Sequence, residues 1–452
     1  MKFKKDFVWG VATASFQIEG AYNEDGRGPD IWGDWCKTQS NIFGGHNGEV
    51  ACDHYHRYKE DVALMKDLGI QAYRFSIAWA RIFPNGTGKI NKKGVKFYHN
   101  LIDELKANNI EPYVTLFHWD LPLALADKGG WLNEDSPKWF EEYARFFGKE
   151  YGDKVKHIIT FNEPQCIIGQ GLQQGVHAPG LKLSPREVLK ATHNLLKAHG
   201  RAVKALREEC PKVLLGISPT CLVALPISEK EIDVEVARRR FFEILPIDSN
   251  YVWSVSLFLD PIILGDYPAK YYELYKEYLP EITKDDLKLI SQPIDFLGQN
   301  IYNGYKIAES ADGSYKYPNR KVGFDHTDMA WPITPDALYW GPKFLYERYQ
   351  LPFYITENGL ACHDIVSLDK KVHDPNRIDF LNRYLLSYSR ASQEGIDIRG
   401  YFQWSLLDNF EWAEGYSKRF GIVHVDFETQ KRTIKDSGIW YKKTIEENGE
   451  NL

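Results

Sequence analysis

Ile158-Ile159-Thr160-Phe161-Asn162-Glu163-Pro164 and, further along, Phe353-Tyr354-Ile355-Thr356-Glu357-Asn358-Gly359 decide how this chain is read. Each is a short β-prone apolar run that closes on a glutamate. A continuous apolar run of this length fits a strand buried on both faces, as in a parallel sheet. Pro in the first case and Asn-Gly in the second mark where the strand stops. A carboxylate is costly to bury, so a Glu at such a strand end is aimed into a cleft rather than hidden in a core.

The same texture recurs along the chain. Phe7–Ala14, Ala72–Ile77, Pro112–Phe117, Val213–Ser218, Phe296–Asn300 and Ile398–Trp404 join His157–Asn162 and Phe353–Glu357 as predicted strands. Each is followed by a helical pattern or a long loop, and alternation of this kind means parallel strands joined by helices. Eight such units predict an α/β fold, a single (β/α)8 TIM barrel with long βα loops forming the cleft, over one domain, residues 1–452. An open doubly wound sheet is the alternative, but no strand runs into a GxGxxG turn. Helix starts agree: Ser184-Pro185-Arg186-Glu187 offers a cap, Pro at the first helical position and Glu three residues after the cap. Ser136-Pro137, Thr334-Pro335 and Asp374-Pro375 repeat the signal, and Gly395 is placed to end the helix after Asp374. The surplus over a minimal barrel falls to residues 169–180, 308–331 and 407–421, expected as loops walling a pocket.

With 56 basic and 62 acidic residues, net −6, the chain does not read as a nucleic-acid or anionic-membrane binder. No stretch has the apolar length of a membrane span. The start, Met1-Lys2-Phe3-Lys4-Lys5, has no apolar signal core behind it, predicting a cytoplasmic protein. Six cysteines without CxxC spacing read as reduced thiols. A metal hydrolase would need a ligand cluster. His54 and His56 open a predicted helix from Asp53 to Leu68, where their rings diverge, and His193 and His199 do not share a helix face. No metal and no cofactor are predicted. The 13 tryptophans fit either a large core or a sugar-stacking cleft.

Two facing carboxylates are what glycoside hydrolysis requires: one to protonate the leaving oxygen, the other to attack the anomeric carbon or activate water. By strand count Glu163 ends strand four and Glu357 strand seven, on opposite sides of a barrel mouth. One Asn-Glu-Pro motif alone would read as surface charge; two such strand ends in one eightfold pattern favour a site.

The chain resembles glycoside hydrolase family 1, of the β-glucosidase type, along essentially its whole length. The resemblance lies in the stretch from Phe7 to Gly20, in Tyr73-Arg74-Phe75-Ser76-Ile77 and in Leu116-Phe117-His118-Trp119-Asp120-Leu121-Pro122. It continues through Thr160-Phe161-Asn162-Glu163-Pro164 and Ile355-Thr356-Glu357-Asn358-Gly359 to the stretch from Gln403 to Trp412. It implies a (β/α)8 barrel and a retaining mechanism, with Glu163 as acid/base and Glu357 as nucleophile. Arg74 and Tyr302 match the partners that keep the nucleophile ionised. Gln17, His118, Asn162, Asn300 and Glu411 match the hydrogen-bonding set for the sugar. Trp404 and Trp412 match the stacking floor, Trp119 is expected to add an indole N–H, and Phe420 completes this set. Trp331 and Gln165 fall at the aglycone wall.

Two departures bear on specificity. Phospho-glycosidases of the family carry Ser where this chain has Glu411, and a Lys and a Tyr in a later Lys-Arg-Tyr-Gly stretch; here that stretch is Lys418-Arg419-Phe420-Gly421. An unphosphorylated sugar is predicted. Many relatives have Trp after Asn-Glu-Pro, where this chain has Gln165 and then Cys166, read as a packing residue. The expected function is a retaining β-glucosidase acting on cello-oligosaccharides and aryl or alkyl β-glucosides, with side activity on β-galactosides and β-fucosides. The alternatives are a 6-phospho-β-glycosidase and a non-catalytic sugar-binding barrel. The partner is a small β-glucoside or oligosaccharide, and the oligomeric state stays open.

Overall fold

Eight parallel strands close into a barrel in the computed structural model, which describes residues 2–452. They are β1 (Val8–Ala12), β2 (Ala72–Ser76), β3 (Glu111–Phe117), β4 (His157–Asn162), β5 (Leu214–Ser218), β6 (Phe296–Asn300), β7 (Phe353–Asn358) and β8 (Ile398–Trp404). Each pairs with its neighbours in sequence, and β8 closes on β1 with Val8 opposite Gly400 and Ala12 opposite Trp404. All eight predicted strands are present, with ends displaced by a residue or two. β2, β4, β6 and β7 are buried at every position, because helices cover the barrel outside and side chains fill it inside. Packing is close where β1 meets β8: a Cβ at Gly10 would stand 2.4 Å from the Phe402 ring.

The helix Pro185–Glu209 starts on the expected capping box, with Glu187 accepting from the Ser184 N–H at 2.8 Å. Two other predicted caps are displaced. Ser136 lies inside the helix Ser136–Tyr151, which is capped at Asp135. The helix Ala337–Tyr349 begins after Asp336, and the Thr334 hydroxyl instead accepts the Gly304 N–H at 2.8 Å. Asp374 does stand at the cap of Pro375–Gln393, but its carboxylate is drawn to Arg377 and Ser437. That helix ends before Gly395, whose φ of +88° suits glycine.

The expected loops are partly structured. Residues 169–180 begin in a wide helical turn, Ile167–Gln174. Residues 308–331 are not all loop: Gly304–Glu309 and Tyr315–Lys316 pair, and Val223–Pro226 adds to them as a small sheet. Residues 407–421 are held from beneath by Lys435, whose buried ammonium donates to Asp364 and Asp408 at 2.5 and 2.7 Å. His54 and His56 do open a helix, His54–Asp67, and turn to separate carboxylates, Asp61 at 2.7 Å and Asp53 at 2.6 Å. Among the described residues no helix is long and apolar enough to cross a membrane.

Candidate active site

The polar residues at the C-terminal ends of the strands meet inside one barrel mouth. Arg74 comes from β2, Asn162 from the end of β4 with Glu163 next after it, Asn300 from β6, Glu357 from β7 and Trp404 from β8. The mouth opens into a cleft of about 710 Å³ whose wall includes His118, Glu163, Tyr302, Trp331, Glu357 and Glu411.

Glu357 receives directed donors on both oxygens. Arg74 Nη1 donates to Oε1 at 2.5 Å, and the Tyr302 hydroxyl to Oε2 at 2.8 Å. Burial pushes the carboxyl above its ordinary value, while the Arg74 cation and these hydrogen bonds pull it down. Glu163 has no cation in hydrogen-bonding contact. Its Oε1 accepts from Asn300 Nδ2 at 2.9 Å and its Oε2 from the Cys166 thiol at 3.0 Å. Burial, and next the charge of Glu357, push Glu163 up to about 7. The two acids thus sit in opposite surroundings, one facing a guanidinium and the other facing neutral donors.

One hydrogen-bonded chain ties the acids together. Asn300 Nδ2 also donates to Asn162 Oδ1 at 3.0 Å, and its amide adds to the downward pull on Glu357. Asn162 Oδ1 accepts Arg74 Nη2 at 2.6 Å, and Asn162 Nδ2 donates to His118 Nε2 at 2.9 Å. Thr356 fixes the Asn300 carbonyl oxygen at 2.8 Å.

Backbone strain gathers here. Trp119, Glu163 and Trp412 all hold positive φ, +77°, +44° and +50°, a conformation that costs roughly 1–3 kcal/mol each outside glycine and clusters at functional sites. The twist at Glu163 turns its side chain off the β4 line into the cleft.

The buried polar atoms without a partner in this region include Gln17 Oε1 and His118 Nδ1. Burial and the nearby Arg74 push His118 well below its ordinary value, so the ring is neutral. Since Asn162 donates to Nε2, the ring proton sits on Nδ1. One acceptor and one donor are therefore held ready, and a sugar hydroxyl satisfies either. Gln17 Nε2 is fixed by Asn409 and Phe410 at 3.0 and 2.8 Å. Glu411 is pushed up to about 8 by burial and by the charges of Glu357 and Glu163. Trp404 and Trp412 are buried aromatics whose planes lie near-parallel to His118. Tyr302, Trp331 and Phe420 form a second aromatic group, with ring centroids 5.3 to 6.1 Å apart.

Two expectations are corrected. Gln165 is not on the cleft wall: it is fully buried and its amide clasps the Thr220 backbone on both sides, at 3.0 and 3.3 Å. A side chain with two backbone partners stays out of the cleft. The Trp119 indole N–H is not offered to a ligand; it donates to the Asn162 carbonyl at 3.1 Å. The Asn162 amide links Arg74, Asn300 and His118, and its nitrogen, with one proton given to His118, keeps the other on the cleft. The sequence also hid some participants. Cys166 is more than packing, because its thiol touches Glu163. Arg240, Trp253, Tyr305 and Arg320 line the outer cleft, and no local motif singles them out.

The family model described as Glycosyl hydrolase family 1 matches residues 1–450. The chain is similar to "Beta-glucosidase A" of Thermotoga maritima, 48% identical over 99% of this chain and 98% of that protein. It is also similar to "1,4-beta-D-glucan glucohydrolase" of Thermotoga neapolitana, 47% identical over 99% of both. A solved structure of the Thermotoga maritima β-glucosidase in complex with glucoimidazole superposes with a TM-score of 0.90 at 48% identity, covering 99% of each chain.

Proposed function

We propose that this chain, which belongs to glycosyl hydrolase family 1, removes terminal β-D-glucosyl residues from cello-oligosaccharides and from aryl or alkyl β-glucosides by double displacement. Glu357 is the nucleophile and Glu163 the acid/base. The observation that carries this reading is the contrast between the two carboxylates around Asn300. Glu357 has a guanidinium and a phenol to hold it ionised, and Glu163 is pushed up to about 7, where a carboxyl can still donate a proton.

The chemistry follows from that contrast. Glu357 attacks the anomeric carbon while Glu163 gives its proton to the leaving oxygen. The ester that forms on Glu357 removes the negative charge that had raised Glu163. Glu163 then acidifies and takes a proton from the incoming water. Asn300, which donates to Glu163 and stands opposite Glu357 in the β6–β7 register, supports the short spacing of retention, about 5–5.5 Å, over the wider gap an inverting water needs. Arg74 and Tyr302 support the nucleophile. Gln17, His118 and Glu411 bind the sugar, Trp404 and Trp412 form its apolar floor, and Trp331 with Phe420 flanks the exit. Asn162 offers its second amide proton to a sugar hydroxyl, and Asn300 and Trp119 position these groups. Because this set meets hydroxyls through neutral donors and acceptors, β-galactosides and β-fucosides are expected as slower substrates.

A phosphorylated sugar fits less well. Glu411 faces the site, and the Lys418 ammonium is taken by Asp328, 2.9 Å from its carbonyl oxygen and 3.3 Å from its carboxylate. Residues 1–452 are read as one catalytic domain, supported by the continuous core shared by the barrel and its helices. A cytoplasmic setting is supported by six free cysteines. A panel of para-nitrophenyl β-glycosides with cellobiose and lactose tests the reading. It predicts hydrolysis of the glucoside ahead of the galactoside and fucoside, and of the glucoside ahead of its 6-phosphate. Preference for the 6-phosphate, or no turnover of any glucoside, would overturn it.

A further inference from the structure

The helix Glu231–Phe241 carries three successive arginines near its end. Two are neutralised on the surface: Arg238 pairs with Glu235 and Glu347, and Arg239 with Glu309. Arg240 instead lines the catalytic cleft. Its Nε donates to the Tyr317 hydroxyl at 3.0 Å and stands 3.6 Å from Glu243. Among the described residues nothing hydrogen-bonds its two terminal nitrogens. Its guanidinium lies 5.9 Å from the ring centroids of both Tyr305 and Tyr315, contacts that hold a cation in place without neutralising it. Arg320 lines the same cleft; its guanidinium meets the Phe324 ring at 4.8 Å, and among the described residues no carboxylate pairs with it.

These cations stand at the outer end. Exposure rises along the cleft from Glu357 and Glu163, 3% and 7% exposed, to Leu222 at 52%, and Arg320 lies on the exposed side. The glycone belongs at the buried acids, so the leaving group extends toward the arginines. Trp253, Tyr305 and Trp331 line that route and suit a flat aromatic body. Glu243 offsets part of the charge of Arg240 and Glu414 also lines the cleft, so the positive charge is local to the free guanidinium ends of Arg240 and Arg320.

We propose that the outer cleft is an anion-selecting subsite for β-glucosides whose aromatic aglycone bears a carboxylate, with Arg240 and Arg320 as specificity-determining residues. The inference rests on the glucosidase reading. An arginine presents a fork that matches a carboxylate, and a partly desolvated cleft strengthens the attraction over that at an open surface.

The test compares two non-hydrolysable ligands, para-carboxyphenyl thio-β-D-glucoside and its methyl ester, by calorimetry. The unaltered protein is expected to bind the acid more tightly than the ester, with the preference shrinking as salt is raised. In the double variant Arg240→Gln/Arg320→Gln the acid-to-ester affinity ratio is expected to fall by about fivefold. An unchanged ratio in the variant overturns the proposal, as does a ratio in the unaltered protein that salt does not move. The salt series needs no variant and so stands if the variant fails to fold. Turnover of para-nitrophenyl β-glucoside is measured beside it: its absence sinks the glucosidase reading, while the thioglucoside ratio decides the subsite.

Discussion

The thiol of Cys166 donates to Oε2 of Glu163 at 3.0 Å, one turn of chain beyond it. Burial holds that thiol well above its ordinary value, so it remains an S–H donor throughout the working pH range. Donation to a carboxylate favours the ionised form and draws Glu163 downward. Removing it in Cys166→Ala is expected to raise Glu163 and move the basic limb of the kcat/KM profile up by roughly half a pH unit. Cys166→Ser, which restores a donor, is expected to return the limb toward its original position. An unmoved basic limb in the alanine variant would mean that the thiol only packs.

Arg74 acts with two separate nitrogens, one on Glu357 and one on Asn162. Arg74→Gln removes the cation that opposes the burial of Glu357. Its carboxyl is then expected to rise further, shifting the acidic limb of kcat/KM to higher pH and lowering the rate by about a hundredfold or more. Arg74→Lys is expected to recover little, because an ammonium cannot span both partners in the same geometry. A pH–rate series on the two variants checks this, and full activity in the lysine variant would contradict it.

Glu163 and Glu411 both hold protons more tightly in the fold than in the unfolded chain, where a Glu titrates near its ordinary 4.5. Between that value and about 7 to 8 the folded state binds the extra protons. Their contribution to stability is therefore present at low pH and lost as pH rises through that window. Glu411→Gln removes one such group. Its melting temperature relative to the parent is expected to be higher at pH 9 than at pH 5, as scanning calorimetry would reveal. A difference that is the same at both pH values would show that Glu411 titrates normally.

Lys435 is buried between Asp364 and Asp408, and Arg377 and Arg419 extend the network. Asp408 lies on the segment that carries Glu411, Trp412 and Phe420. Lys435→Met leaves two carboxylates short of a cation in a dry site, and breaking such a pair costs about 3–5 kcal/mol. A clear fall in the denaturant midpoint is expected, with a raised KM in whatever enzyme stays folded. A midpoint within error of the parent would show that the network is dispensable.

The barrel was legible because a short, largely apolar run recurs eight times between helical patterns, as strands covered on both faces require. Glu163 and Glu357 were legible because they break such a run at its end. What was hidden depends on which way a side chain turns. Gln165 follows the acid in sequence yet folds back onto Thr220, and the Trp119 indole is spent on a carbonyl. Neither direction is written in local residue types. Arg240 is the third of three like residues, and only its placement on the helix turns it to the cleft while Arg238 and Arg239 pair on the surface. Thr334 looked like a helix cap, but tertiary contact with Gly304 claimed its hydroxyl first.

The central claim is that the carboxylate of Glu357 forms a covalent bond to the sugar while Glu163 shuttles the proton. A glucoside with fluorine in place of the 2-hydroxyl and a dinitrophenyl leaving group forms such an ester readily but hydrolyses it slowly, so intact-protein mass spectrometry followed by peptide mapping reads it directly. The account predicts one fluorosugar per chain, attached to the peptide containing Glu357 and lost on addition of a good acceptor. A label on any other residue, or steady turnover of the fluorosugar with no adduct, would contradict it.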